Sequence, residues 1–127
     1  MNHLVLVMLG GGIGAGLRHL VSLLTLRLLG PGFPYGTLAV NVIGSLAMGL
    51  FIGWLVRHDS AQMHGVRYFV ATGVLGGFTT FSAFSLDTSV LWERGDTGLA
   101  LAYVGLSIFA SIAAVFAGLH VMRQFAS

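Results

Sequence analysis

From Leu28 to Val56 the chain carries no fully charged side chain, and between Arg67 and Asp87 a further 19 residues pass without one. Stretches this long and this apolar cannot be covered by a water-facing surface. A helix of about 20 apolar residues, rising 1.5 Å per residue, matches the hydrocarbon core of a bilayer. The composition points the same way. Only 8% of residues are charged and 56% are hydrophobic, with a mean hydropathy of +0.91, whereas average soluble sequences are about 25% charged. The 127 residues are therefore read as one transmembrane domain of all-α class, and a soluble enzyme is excluded. No nucleophile–base pair or metal-ligand set is visible, so no enzymatic activity is expected. A net charge of +2, with six arginines scattered along the chain, is too weak for a nucleic-acid surface. The lack of cysteine excludes disulfides, thiolate metal sites and cysteine nucleophiles.

Four spans are predicted, at about 3–29, 35–56, 66–92 and 97–122. GPGFP (30–34) blocks helix continuation with Pro31 and Pro34. RHDSAQMHG (57–65) is the polar link, and RGDTG (94–98) is a tight turn in which Asp96 or Thr97 can cap the last helix. The N-terminal MNHLVLVMLGGG has no Lys or Arg ahead of its apolar run, so it is expected to remain as a helix and not to be removed as a signal peptide. Trp54 and Trp92 suit the aromatic belts. Arg57, Arg67 and Arg123 fall on one side of the membrane; Arg27 and Arg94 fall on the other, joined by Arg18 if it snorkels. That leaves almost no positive-inside bias. Two readings stay open: the loops hold too few charges to orient the chain, or it inserts both ways and forms an antiparallel homodimer.

Residues four apart share a helix face. Thr37, Asn41, Ser45, Gly49 and Gly53 follow this interval, as do Tyr103, Ser107 and Ser111, and Gly10, Gly14, Arg18 and Ser22. Small faces usually mean close helix packing, which is the expectation for Gly10, Gly14, Gly49 and Gly53. Asn41 and the Tyr103/Ser107/Ser111 stripe instead suggest a polar path, because a carboxamide inside a membrane needs partners or water. Arg18 either snorkels or supplies positive potential at an aqueous vestibule. In the third span Gly76-Gly77 weakens the helix by about 1 kcal/mol per glycine. Thr79 and Thr80 follow, with hydroxyls able to bond freed backbone groups. A mid-membrane break near 76–80 exposes N–H groups that favour anions and carbonyls that can hold a cation. Phe81 and Phe84 lie on one face beyond it, and aromatic ring edges carry partial positive charge.

The stretch TGVLGGFTTFSAFSLDT (72–88) resembles the signature of the Fluc, or CrcB-type, fluoride channels of bacteria. PYGTLAVN (34–41), GAGLRH (14–19), LWERG (91–95) and the Tyr103/Ser107/Ser111 stripe extend the resemblance over essentially the whole chain. It implies a fluoride-selective passive channel in the bacterial inner membrane that exports fluoride and gives resistance to it, with lipids, fluoride and a second copy of the chain as partners. The implied architecture is an antiparallel, dual-topology homodimer with pores built from both chains. Phe81, Phe84, Asn41, Tyr103, Ser107 and Ser111, with Thr37 beside them, match the pore residues, and Arg18 matches the vestibule arginine. The carbonyls of Gly76 and Thr79 match a structural Na+ site at the two-fold axis. Asp87 stands where many relatives are expected to have Glu.

The main rival is a small dual-topology multidrug or cation exporter of the four-helix type. Such an antiporter needs an acid embedded in the membrane; the first span has none, and Asp87 is near a helix end. A non-transporting helical assembly factor would not need two polar stripes.

Overall fold

Asn2 begins the first helix by accepting the Leu4 N–H at 2.8 Å, an N-cap that satisfies one of the unpaired amides of the first turn. The computed structural model describes residues 2–58 and 63–126, so residues 59–62 of the polar link expected at 57–65 lie outside the described residues. Helix α1 (His3–Leu29) ends at Gly30, whose φ of 80° lets its N–H turn back to the Leu26 carbonyl at 3.0 Å. Pro31 and Pro34 follow, and α2 (Tyr35–Arg57) starts directly after the second.

The third span is in two pieces. Helix α3 covers 64–78 and α4 is Phe81–Glu93. Between them Thr79 (φ −85°, ψ 161°) and Thr80 (φ −155°, ψ 123°) are extended. The interruption is narrower than 76–80, because Gly76–Phe78 is still helical. The β-branched threonines, which favour extended backbone, carry the break, while the glycines before it are used in packing. A second difference is that Tyr68–Leu75 winds as a π-helix between short α-helical turns. Such widened turns are rare and occur mostly as local insertions. Gly95 (φ 92°) turns the chain into α5 (Thr97–Ala126). The Asp96 carbonyl accepts the Ala100 N–H at 2.9 Å, while its carboxylate is held by Arg94 at 2.9 Å.

Four helical stretches, His3–Leu29, Tyr35–Arg57, His64–Glu93 and Thr97–Phe125, are long and apolar enough to cross a membrane. They pack as two glycine-lined pairs. Gly10 and Gly14 of α1 meet Gly73, Val74 and Phe78 of α3, and Gly77 abuts Gly11. A Cβ on Gly10 would stand 2.5 Å from the Phe69 carbonyl oxygen, and one on Gly77 2.5 Å from that of Gly11. Gly49 and Gly53 of α2 meet Val115, Gly118 and Met122 of α5, and a Cβ on Gly118 would lie 2.6 Å from the Leu46 oxygen. These contacts order α1 parallel to α3 and α2 parallel to α5. The small faces are packing faces, as expected for Gly10, Gly14, Gly49 and Gly53. The interior is thin, centred on Leu91, Ala100 and Tyr103 with Phe33, Leu38 and Phe84 against them. Large apolar side chains cover the outside.

Candidate functional site

The broken span must find partners for the backbone groups it frees, since unpaired amides and carbonyls cannot face lipid. Several of these partners are side chains. The Thr80 N–H donates to Asn41 Oδ1 at 2.7 Å, and Asn41 Nδ2 donates to the Thr80 carbonyl at 3.0 Å. One carboxamide on α2 thus holds both backbone groups of the central extended residue. The Thr80 hydroxyl caps α4 by accepting the Ala83 N–H at 3.1 Å. Thr79 closes α3 from the other side, its N–H and hydroxyl both donating to the Leu75 carbonyl at 3.1 Å. Arg18 reaches from α1 and donates through Nε to the Gly77 carbonyl at 3.1 Å.

This pairing leaves a specific remainder. In a continuous helix the Thr80 N–H would bond the Gly76 carbonyl, and the Ala83 N–H would bond that of Thr79. Both donors are diverted, to Asn41 and to the Thr80 hydroxyl. The carbonyls of Leu75, Gly77 and Thr80 receive side-chain or backbone donors, whereas Gly76 and Thr79 lose their helical donors to these diversions. Neutral carbonyl oxygens at the C-terminal end of a half-helix suit a monovalent cation. The two carbonyls anticipated for Na+ therefore fit its chemistry.

Beside the break lies an open groove of about 320 Å³, lined by Asn41, Ser45, Thr80, Phe81, Phe84, Ser107 and Ser111 among others. Phe81 is 78% exposed, and the Phe81 and Phe84 rings sit 5.6 Å apart with planes tilted by 57°. The hydroxyls of Ser107 and Ser111 are buried without a hydrogen-bond partner. An unpaired buried hydroxyl costs roughly 1–3 kcal/mol, so groups retained in this state call for a partner that the chain alone does not supply.

Tyr103 stands one turn above Ser107, fully buried, and donates its hydroxyl to Asp87 Oδ2 at 3.2 Å. Phe84 packs on the ring at 5.3 Å. Thr37 and Asp87 open into a second cavity of about 270 Å³. It lies under the α1–α2 turn, which Arg94 ties down through the Gly32 carbonyl at 2.9 Å.

The structure thus brings Asn41, Phe81, Phe84, Ser107 and Ser111 into one groove and Thr37 into the second cavity, while Tyr103 is buried between Phe84 and Asp87 and lines neither. Arg18 lies on the break, bonded to the backbone, so its guanidinium neither snorkels freely nor lines either cavity. Sequence reasoning missed Thr80 as the hub of the break. The signal available was its place one residue ahead of the resumed helix, where an N-cap threonine is favoured. Ser45 was visible in the α2 stripe and lines the groove.

Comparison with known proteins places this geometry in a family setting. Residues 5–119 match the family described as CrcB-like protein, Camphor Resistance (CrcB). The fluoride-specific ion channel FluC of Mesorhizobium japonicum is 55% identical over 124 residues, 98% of each chain. That of Chelativorans sp. is 58% identical over the same share of each chain, and that of Agrobacterium fabrum is 51% identical, again over 98% of both.

Proposed function

The chain belongs to the CrcB-like family, and from that membership and its half-built polar groove we propose that it is a passive fluoride channel that lets fluoride leave the cell across the inner membrane. The observation that carries this reading is the pair of buried, partnerless hydroxyls of Ser107 and Ser111 in the groove that Phe81 and Phe84 also line. Hydroxyl donors and ring edges attract a small anion without binding it as tightly as a full charge would, and conduction needs sites of that middling strength. Fluoride is strongly hydrated, so closely spaced donors must replace its water. The relatives' printed name supplies the ion.

The groove is open along one side, and a lipid-facing wall cannot shield an anion. A second copy closes it. An antiparallel homodimer agrees with the balance of arginines and gives two paths, each built from both chains. Thr37, Asn41, Tyr103, Ser107 and Ser111 form the polar side of each path, and Phe81 and Phe84 the aromatic side. The Gly76 and Thr79 carbonyls of both chains hold a sodium ion at the axis, which supplies the positive charge that the diverted N–H donors no longer give them. Asp87, already engaged by Tyr103, sits at the mouth. Flow follows the electrochemical gradient, and a negative-inside potential drives anions outward by about 2.3 kcal/mol per charge per 100 mV.

Expression in a bacterium without its own fluoride exit route tests this reading against the cation exporter. Restored growth in fluoride with unchanged sensitivity to cationic dyes is expected. Dye resistance with no gain in fluoride tolerance would replace the channel by the exporter.

A further inference from the structure

Arg18 is a full charge on a membrane-spanning helix, and among the described residues it forms no salt bridge with a carboxylate. Its Nε bonds the Gly77 carbonyl, next in the chain to Gly76, whose carbonyl has lost its helical donor. Among the described residues no group of three or more His, Asp or Glu side chains could hold a metal ion. Asp87, part-buried beside the interior, is bonded to Tyr103. Any cation held by the Gly76 and Thr79 carbonyls therefore sits among neutral oxygens, next to a peptide that is already hydrogen-bonded to a guanidinium.

We propose that Arg18 sets the charge preference of this cation site, admitting a monovalent ion and rejecting divalent ones. The inference rests on the sodium reading given above and goes beyond it. Carbonyl oxygens alone attract calcium as well as sodium, since both are hard cations that take oxygen ligands. A fixed positive charge repels a divalent ion twice as strongly as a monovalent one, and weak screening inside the protein makes that difference large. Arginine suits the role because its planar guanidinium can bond the Gly77 carbonyl through Nε while carrying a full charge. The glycines help by bringing α1 close enough for the side chain to reach. Gly10, Gly11 and Gly14 lie against the α3 backbone, and Arg18 is one turn beyond Gly14.

Thermal unfolding of the purified, lipid-reconstituted protein, read by the loss of the folded dimer and not by ion flux, tests the proposal. Sodium and calcium are titrated into wild type and three variants. Arg18→Gln keeps a donor but no charge, Arg18→Met keeps neither, and Arg18→Lys keeps the charge. Wild type should be stabilised by sodium and not by calcium. In Gln and Met the apparent calcium affinity should rise on the order of tenfold or more, the scale of removing one full charge facing the ion, while Lys retains the preference for sodium. The two neutral variants are independent, so failure of one to assemble leaves the other to decide. Sodium preference unchanged in a neutral variant would overturn the proposal and leave Arg18 as a helix cap. Stability of wild type indifferent to every cation would overturn the sodium reading itself, and this inference with it.

Discussion

Four hydrogen bonds converge on Thr80, one at its N–H, one at its carbonyl and two at its hydroxyl, and the chemistry of the groove depends on them. Asn41 supplies two of these, so Asn41→Leu orphans both backbone groups. Each orphan costs about 1–3 kcal/mol, and the variant should melt earlier in a thermal scan as well as lose fluoride flux. Ser111→Ala should behave differently. Its hydroxyl has no internal bond to lose, so stability is expected to stay within about 1 kcal/mol of wild type. Flux should fall by about tenfold, the effect of removing a donor worth roughly 1.4 kcal/mol at the ion. A melting point lowered together with unchanged flux would show that Ser111 serves packing. Phe81→Ile removes a ring edge from an exposed position and should likewise suppress flux while the dimer persists, which size-exclusion chromatography checks.

At the scale of helices, the two pairs are held by backbone-to-backbone approach. Gly118→Val places methyl groups against the Leu46 and Leu50 backbone and is expected to cost about 1–3 kcal/mol or more. Gly98→Ala, where a Cβ meets open space at the start of α5, should be neutral or stabilising by up to about 1 kcal/mol. Equal losses in the two variants would argue against the packing pattern. The helices themselves were legible in the sequence because bilayer-length apolar runs and proline or glycine stops leave little choice. The weak point of the third span was legible from Gly76-Gly77 and Thr79-Thr80. The π-helical winding of Tyr68–Leu75 was not, since its apolar residues would serve an α-helix equally well and the widened turn arises in contact with α1. Nor could the partners of Arg18 and Asn41 be read from the sequence. Their bonds to Gly77 and Thr80 cross 59 and 39 residues of chain, and spacing along one helix says nothing about such distant pairings.

For the whole molecule, the proposed antiparallel dimer would cover an open groove on a chain with a thin interior and an apolar exterior. If two copies sit antiparallel, each loop faces both sides of the membrane across the population. The chain contains no cysteine, so Gly32→Cys in the exposed α1–α2 turn provides a single label site. An impermeant thiol reagent applied to sealed vesicles is expected to label about half of the protein, with permeabilisation exposing the remainder. Labelling that is all or none from one face would rule out the antiparallel dimer. The central claim, that this groove is a fluoride path, is tested most directly by ion efflux from liposomes loaded with fluoride or chloride and containing the purified protein, followed with ion-selective electrodes. The account predicts rapid fluoride release with chloride retained. Fluoride retained at the level of protein-free liposomes, or chloride released as fast as fluoride, would contradict it.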